Sequence, residues 1–444
     1  MKCFEFFKYT IMLALINSFA LSAQTLTTDD KVDILLARGK YQTALSLLDS
    51  LIVSDTFKAD NYLRAAEAYQ GLYQHDKALK LINTAIKLDS SKAGFYGSLG
   101  RSYSFLGNYS SACKAYTYAL KLEPGNTILL QNLAGALLNN SHYSEAAAIY
   151  RKLISLDSIN AFFHGQAGYC ALKNDSLALS AKYYEQAFSL NPLNINYAQQ
   201  LAINYIVLNK IQPADSLINL CLITHPEESL LFKLKGDIHF KMKHYDYAVD
   251  AYDKAISLGD NSAQSFQKLG ISCYFHIKSS DSLNSETKKE FAEKGKSALE
   301  ASLMIEGENP VTSFYLGILY SRLGYFQQSL DCLSKAVKFS APDFLAEIYQ
   351  IMGDNYTKLK NFRDAAALYK KSLYLNAVNE AAFENIFHIY YGVSVKREDL
   401  LRFYREFLES NPGLDGSIKN QITEKIQMVE KEFETLNLKK NKPK

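Results

Sequence analysis

A small residue returns every 34 positions along this chain: Ala66, Gly100, Ala134, Gly168, Ala202, Gly236 and Gly270. A second comb of the same period runs twelve residues behind it, through Ala44, Ala78, Ala112, Ala146, Ser180, Ala214 and Ala248. A chain folding around a single globular core has no reason to keep such a period. A chain built of identical units does, because each unit packs only on its neighbours. The stretch from Tyr96 to Pro124 shows what one unit contains. Leu99, Gly100 and Tyr103 share one face of a first helix, Gly107 marks a turn, and Ala112, Tyr116 and Ala119 form the stripe of a second helix that Pro124 stops. Apolar residues at three- and four-residue intervals predict two amphipathic helices, and the small residues let their backbones approach closely.

Aromatic columns accompany the combs. Tyr69, Tyr103 and Tyr205 recur on the first helix, and Tyr116, Tyr150, Tyr184 and Tyr252 on the second. The terminal proline returns at Pro124, Pro192 and Pro226. This set resembles the tetratricopeptide repeat (TPR), a 34-residue unit with a small–aromatic pattern and a closing proline. The resemblance covers about residues 29–412. It implies an all-α superhelical solenoid of about eleven helix-turn-helix repeats, closed by a C-terminal capping helix. It also implies a concave surface, lined by the first helices, that holds a peptide or another protein.

The frame also sets the boundaries. Residues 24–59 read as an atypical N-terminal repeat, with Val32 at the small position and Leu35 at the aromatic one. Residues 60–277 keep the period without a slip. The next small position, Gly317, comes 47 residues after Gly270 instead of 34. The surplus is the polar segment 278–290, expected as a longer loop or an extended second helix between the two helices of one repeat. Repeats resume over 291–412 through Gly317, Tyr320, Gly353, Tyr356, Ala365 and Tyr369, and end on a unit where Phe387 replaces the small residue. Within 413–444, a stripe of Ile418, Ile422, Ile426, Val429 and Phe433 predicts the capping helix, followed by a basic tail of Lys439, Lys440, Lys442 and Lys444.

Residues 1–23 have the layout of a secretory signal: Lys2 and Lys8, an apolar run from Tyr9 to Leu21, and Ser22-Ala23 before Gln24. The run is short for a membrane span. Cleavage after Ala23 is expected, with an exported, periplasmic mature chain and no membrane insertion. Cys3 precedes the apolar run, so it is not placed as a lipid-bearing cysteine. The formal charge of +3 falls to +2 without that segment, a balance that offers no electrostatic footprint for nucleic acid. Five cysteines remain, Cys113, Cys170, Cys221, Cys273 and Cys332. Their odd number and wide spacing do not form a disulfide framework, and Cys221 and Cys273 fall in columns of small and apolar residues.

Motifs that carry chemistry are missing from the sequence. It has no glycine-rich phosphate loop, HExxH, CxxC pair or nucleophile elbow. His239 and His244 stand five apart, off a common helical face, so neither a metal nor a cofactor is expected. Candidate binding residues follow from the frame, three before and one after each small position. They are Gly97, Arg101, Gln131, Gly135, Gly165, Tyr169, Gln199 and Ile203, joined by Asn196, and then Gln267, Ile271, Tyr274, Phe314 and Ile318. Amides can donate to and accept from an extended backbone, and aromatics can stack on side chains. An amide-rich N-terminal groove and a more apolar C-terminal patch are therefore expected. TPR domains that clamp a free carboxylate place Lys and Asn at these positions. Here only Lys233 fits, with Asp237 beside it. The expected activity is that of a non-catalytic scaffold or adaptor with a protein or peptide partner, and self-association is open. Two other readings stand beside it. One is an envelope subunit docking through its convex face or ends. The other is an enzyme using Asp281, Glu286 and Glu290 of the 278–290 segment.

Overall fold

The computed structural model describes residues 27–339, 342–392 and 397–440. The expected signal segment, the end of the basic tail and the side chain of Phe433 lie outside the described residues. Those that are described form helices joined by short turns, with no strand among them. The helices are α1 (Thr28–Ala37), α2 (Tyr41–Ser54), α3 (Ala59–Gly71), α4 (His75–Leu88), α5 (Ala93–Phe105), α6 (Tyr109–Leu122), α7 (Thr127–Asn139), α8 (Tyr143–Leu156), α9 (Ala161–Lys173), α10 (Leu177–Leu190), α11 (Ile195–Val207) and α12 (Ile211–Thr224). They continue as α13 (Ser229–Lys241), α14 (Tyr245–Ser257), α15 (Ala263–Ser279), α16 (Ser285–Glu306), α17 (Pro310–Arg322), α18 (Phe326–Phe339), α19 (Pro342–Lys358), α20 (Phe362–Leu375), α21 (Glu380–Gly392), α22 (Arg397–Ser410) and α23 (Gly416–Lys440). They fall into two compact units, residues 1–204 and 205–444. Each unit is a stack of helix pairs in which an odd-numbered helix comes first and an even-numbered one second.

At several glycines of the small column an aromatic ring of the second helix lies directly on the position. A Cβ at Gly100 would sit 2.7 Å from the Tyr116 ring, at Gly236 2.6 Å from Tyr252, and at Gly353 2.7 Å from Tyr369. Those rings are almost fully buried. Each fills the space that a side chain on the first helix would otherwise occupy.

The turn inside each pair has its own column. Gly39, Tyr73, Gly107, Ser141, Asp175, Asn209, Lys243, Gly324 and Lys360 all have positive φ, between 55° and 84°. In each of these turns the next residue's N–H reaches five residues back, as in Asn108 to Tyr103 O (2.9 Å) and Asn361 to Tyr356 O (2.8 Å). This is the Schellman closure of a helix. Only three of the nine positions are glycine, so the others hold an L side chain where it is strained, at a cost of about 1 kcal/mol each. Lys360→Gly is therefore expected to raise stability by about 1 kcal/mol, read as a higher urea midpoint, while Gly107→Val lowers it.

The thirteen surplus residues do not form a loop. They extend both helices of the eighth pair: α15 has 17 residues and α16 has 22, against 13 and 14 for α5 and α6. Only residues 280–284 connect them. Tyrosine is absent from the column here. Leu299 takes its place, and the two helices meet through Gly270 and Gly295. A Cβ at Gly270 would lie 2.4 Å from Leu299 Cγ and 2.8 Å from the Gly295 carbonyl oxygen.

Neighbouring pairs are locked by a second device. Where serine stands in the second comb, the following first helix supplies asparagine. Ser180 Oγ donates to Gly168 O (2.8 Å) and accepts from Asn204 Nδ2 (2.9 Å). Ser329 Oγ does the same with Gly317 O (2.6 Å) and Asn355 Nδ2 (2.7 Å). All four side chains are buried, and pairing the serine hydroxyls with the asparagine N–H groups avoids the penalty of leaving those groups unmet, while Asn204 Oδ1 stays without a partner among the described residues.

Both ends are packed. In α1 and α2, Val32, Ala44 and Leu48 are buried, and Arg64 of α3 ion-pairs with Asp29 and Asp33. Helix α23 places Ile418, Ile422, Ile426 and Val429 in one core with Leu400, Phe403, Tyr404 and Phe407 of α22, so it caps the last pair. Lys425 reinforces it, pairing with Glu384 at 2.7 Å over the Phe387 ring.

Candidate functional site

In residues 1–204 the first helices α3, α5 and α7 touch in succession and present one recurring face. Arg101 on α5, Gln131 on α7, Tyr169 on α9 and Asn196 on α11 are exposed there. The side chains of Arg101, Gln131 and Asn196 make no hydrogen bond among the described residues. Tyr169 is 37% exposed. Its ring edge meets Tyr143 at 6.3 Å between centroids, and Lys173 Nζ lies 5.5 Å from it. Glu67 of α3 is half-buried; burial raises its carboxyl pKa, opposed first by Arg101 and then by Arg64. A Cβ at Gly135 would meet nothing within 4 Å, whereas at Gly165 it would meet the Tyr197 ring at 2.5 Å and at Gly97 Leu129 at 3.0 Å. Gly135 therefore opens on the face, while Gly97 and Gly165 are packing positions.

Other members of the expected set are placed elsewhere. Gln199 is only 7% exposed, so it does not offer its amide on an open face. In residues 205–444, Tyr274 and Phe314 are each 5% exposed. They belong to a chain of rings: Phe275 and Tyr315 lie 5.0 and 5.2 Å from Tyr274, and Tyr315 lies 5.1 Å from Phe314. The apolar C-terminal patch is thus mostly core, lined outward by half-buried Phe275 and Tyr315 and by exposed Phe344. Burial pushes the Tyr315 hydroxyl up to about 12. Gln267 donates from Nε2 to Thr312 Oγ1 at 2.7 Å, a bond between α15 and α17 that occupies the amide. Ile271 is half-buried and Ile318 is buried.

The column after the small residue is consumed internally in two pairs of this unit. Asp237 accepts from Tyr252 Oη (2.6 Å) and from Lys268 Nζ. Asp354 accepts from Tyr369 Oη (2.7 Å) and Asn385 Nδ2 (3.0 Å). Burial raises the Asp354 pKa; the Tyr369 hydrogen bond and Lys358 oppose this. A folded pKa above the unfolded value of 3.8 means that Asp354 contributes stability below that pH and loses it as pH rises through its folded pKa. Asp354→Asn keeps both acceptor contacts and is expected to be at least as stable at pH 7. Its advantage over the parent should shrink toward pH 4, as read by urea midpoints at the two pH values.

The rings of His239 and His244 come to 6.2 Å across a turn, with Tyr247 5.4 Å from His239. Helical spacing alone did not suggest this approach. Burial lowers the His239 pKa, partly offset by Asp215. Among the described residues no group of three His, Cys, Asp or Glu is placed to hold a metal ion. The five cysteines are free, with Cys170, Cys221 and Cys273 buried. Asp281, Glu286 and Glu290 are exposed at the start of the eighth pair's extension.

Helix pairs stacked at a fixed period, with rings seated on small residues, define an all-α helical-repeat protein. Models of the tetratricopeptide repeat match residues 98–161, 234–258 and 346–379. The chain therefore carries tetratricopeptide repeats over those residues. No curated protein matches it in sequence. Among solved structures it is similar to YrrB, described as a TPR protein with an unusual peptide-binding site. The identity is 18% over 41% of this chain and 95% of that one, with a TM-score of 0.38. It is also similar to MamA from Desulfovibrio magneticus RS-1, at 17% identity over 38% of this chain and 96% of that one, TM-score 0.36. A third is a monomeric IFIT1 mutant, at 15% identity over 92% and 96%, TM-score 0.39. No helix among the described residues is long and apolar enough to cross a membrane.

Proposed function

We propose that the protein is a non-catalytic scaffold whose first-helix face in residues 1–204 holds an extended peptide or a loop of a protein partner. The observation that carries this reading is the row Arg101, Gln131, Tyr169 and Asn196. It offers one exposed polar or aromatic side chain on each of four successive first helices. Hydrogen-bonding groups left open at a regular step suit an extended backbone, and the tyrosine can stack on a side chain. The signal-like segment 1–23 supports export, and the reading places the partner outside the cytoplasm.

The test is crosslinking capture of partners from an envelope fraction with the mature protein and with a Gln131→Ala, Tyr169→Ala, Asn196→Ala variant. All three positions are exposed, so helicity by circular dichroism should be unchanged. Loss of the captured partner is the expected result, and its retention would overturn the reading.

One observation favours a second reading, docking through the second-helix side. A concavity of about 610 Å³ opens between α6, α7 and α8 there, floored by Leu133, Leu137 and Ile149 and rimmed by Lys114, Lys121 and Glu145. A partner retained by the triple variant but lost on Ile149→Asp would move the interaction to that side.

A further inference from the structure

The extension of the eighth pair builds something the other pairs lack. At its base lies a pocket of about 280 Å³, walled by Ile277 of α15, Ser285, Lys288, Lys289 and Ala292 of α16, and Arg322 and Leu323 at the end of α17. Its charged lining has a single sign. Lys288, Lys289 and Arg322 contribute three cations, and no carboxylate lines it; the extension's own acids, Asp281, Glu286 and Glu290, are not among its walls. Two concavities elsewhere mix the signs, Lys114 and Lys121 with Glu145 in one and Arg402 and Arg405 with Glu398, Glu406 and Glu409 in the other, and a third holds a single cation, Arg151. A fourth cation stands close by. Lys278 Nζ and the Arg322 guanidinium both lie over the Tyr274 ring, at 5.6 and 5.8 Å from its centroid.

None of these four cations makes an ion pair or hydrogen bond with a carboxylate among the described residues. The buried Tyr274 ring holds Arg322 in place, so its planar fork is pre-organised. Three of the four, Lys278, Lys288 and Lys289, belong to the residues that break the 34-residue period. A run of lysines on a helix is ordinarily a solvated face. Here the lysines converge with an arginine from another helix on one concavity, where an anion would offset their mutual repulsion.

We propose that this pocket binds a compact, doubly charged anion of the phosphate or sulfate type. The ion is either free or the head group of a phosphate monoester. It is held by Lys288 and Lys289 as point charges and by Arg322 through its fork. The site is separate from the face assigned to the partner, so its loss leaves partner capture intact.

The test is isothermal titration of the full chain at constant ionic strength, to hold screening fixed. The probes are inorganic phosphate, glycerol 3-phosphate and, as a singly charged control, acetate. Saturable binding of one phosphate per chain is expected, weaker by at least tenfold in Lys288→Ala/Lys289→Ala. Arg322→Lys keeps the charge but loses the fork, and should weaken binding by an intermediate factor at unchanged helicity. Tighter binding of glycerol 3-phosphate than of inorganic phosphate would assign the pocket to a monoester, and the reverse order to the free ion. Heat that does not saturate, or affinity unchanged in both variants, or acetate binding as tightly as phosphate, would overturn the proposal.

Discussion

Gly270→Val should be the most damaging single substitution in the array, costing at least about 3 kcal/mol. A Cβ there meets Leu299 Cγ at 2.4 Å and the Gly295 carbonyl oxygen at 2.8 Å. Leu299 is fully buried and the carbonyl belongs to a helix backbone, so neither can give way cheaply. At Gly100, Gly236 and Gly353 the clash is with an aromatic ring, which can tilt; here it is with a buried leucine and with main chain as well. Gly135→Ala is the matched contrast. It too is a glycine inside a first helix, but a Cβ there meets nothing within 4 Å, so the gain in helix propensity raises stability by about 0.5–1 kcal/mol. Urea unfolding followed by circular dichroism separates the two. Equal effects in the same direction would show that helix propensity, and not the close contact, governs these positions.

Tyr252→Ala comes next, at about 3–5 kcal/mol. The ring is fully buried against Gly236, and its hydroxyl donates to Asp237 at 2.6 Å. Burial, and then Asp237, hold the hydroxyl far above its ordinary pKa, so it stays a donor at any working pH. Truncation opens a cavity and removes one of the two donors on Asp237. Tyr252→Phe removes only the hydrogen bond and leaves Lys268 on the carboxylate, for about 1–2 kcal/mol. Repeat stacks lose structure pair by pair, so a single global midpoint would understate the effect. The chain has no tryptophan, which removes the usual fluorescent probe. Hydrogen exchange read by mass spectrometry is the appropriate measurement. Protection should fall first across α13, α14 and α15, with α5 to α8 unchanged. Uniform loss along the whole chain would contradict this.

The period, the small column and the capping helix were legible because each rests on one residue type forced by contact. Gly100 must be small beneath Tyr116, and Ile418, Ile422 and Ile426 must share a face. The turn column was not legible, because Tyr73, Ser141, Lys243 and Lys360 sit at positive φ with no glycine to announce it; the Schellman hydrogen bonds tolerate their strain. The polar segment 278–290 holds no turn signal strong enough to separate a long loop from two longer helices. The candidate face was half legible. Position within a repeat tells which way a side chain leaves its own helix, and Arg101, Gln131, Tyr169 and Asn196 are exposed. It does not tell how far the neighbouring helix reaches over it. Tyr274 and Phe314 are covered by rings from adjacent elements, and the −2 and +5 positions that supply Tyr315 and Phe275 carry no family signature. Asp237 and Asp354 were hidden for a related reason: their partners Lys268 and Asn385 come from the next repeat.

The free thiols give the fold a chemical memory. Burial pushes Cys170 and Cys332 up to about 11 and Cys273 to about 12. At neutral pH only on the order of one such thiol in ten thousand is ionised, and the thiolate is the species that reacts. Unfolding returns every one of them to the ordinary range and brings them within reach of each other and of oxidants. In an oxidising compartment an intact stack would keep its sulfur inert. A stack that had once opened would carry disulfides that no native contact matches, and could not close again.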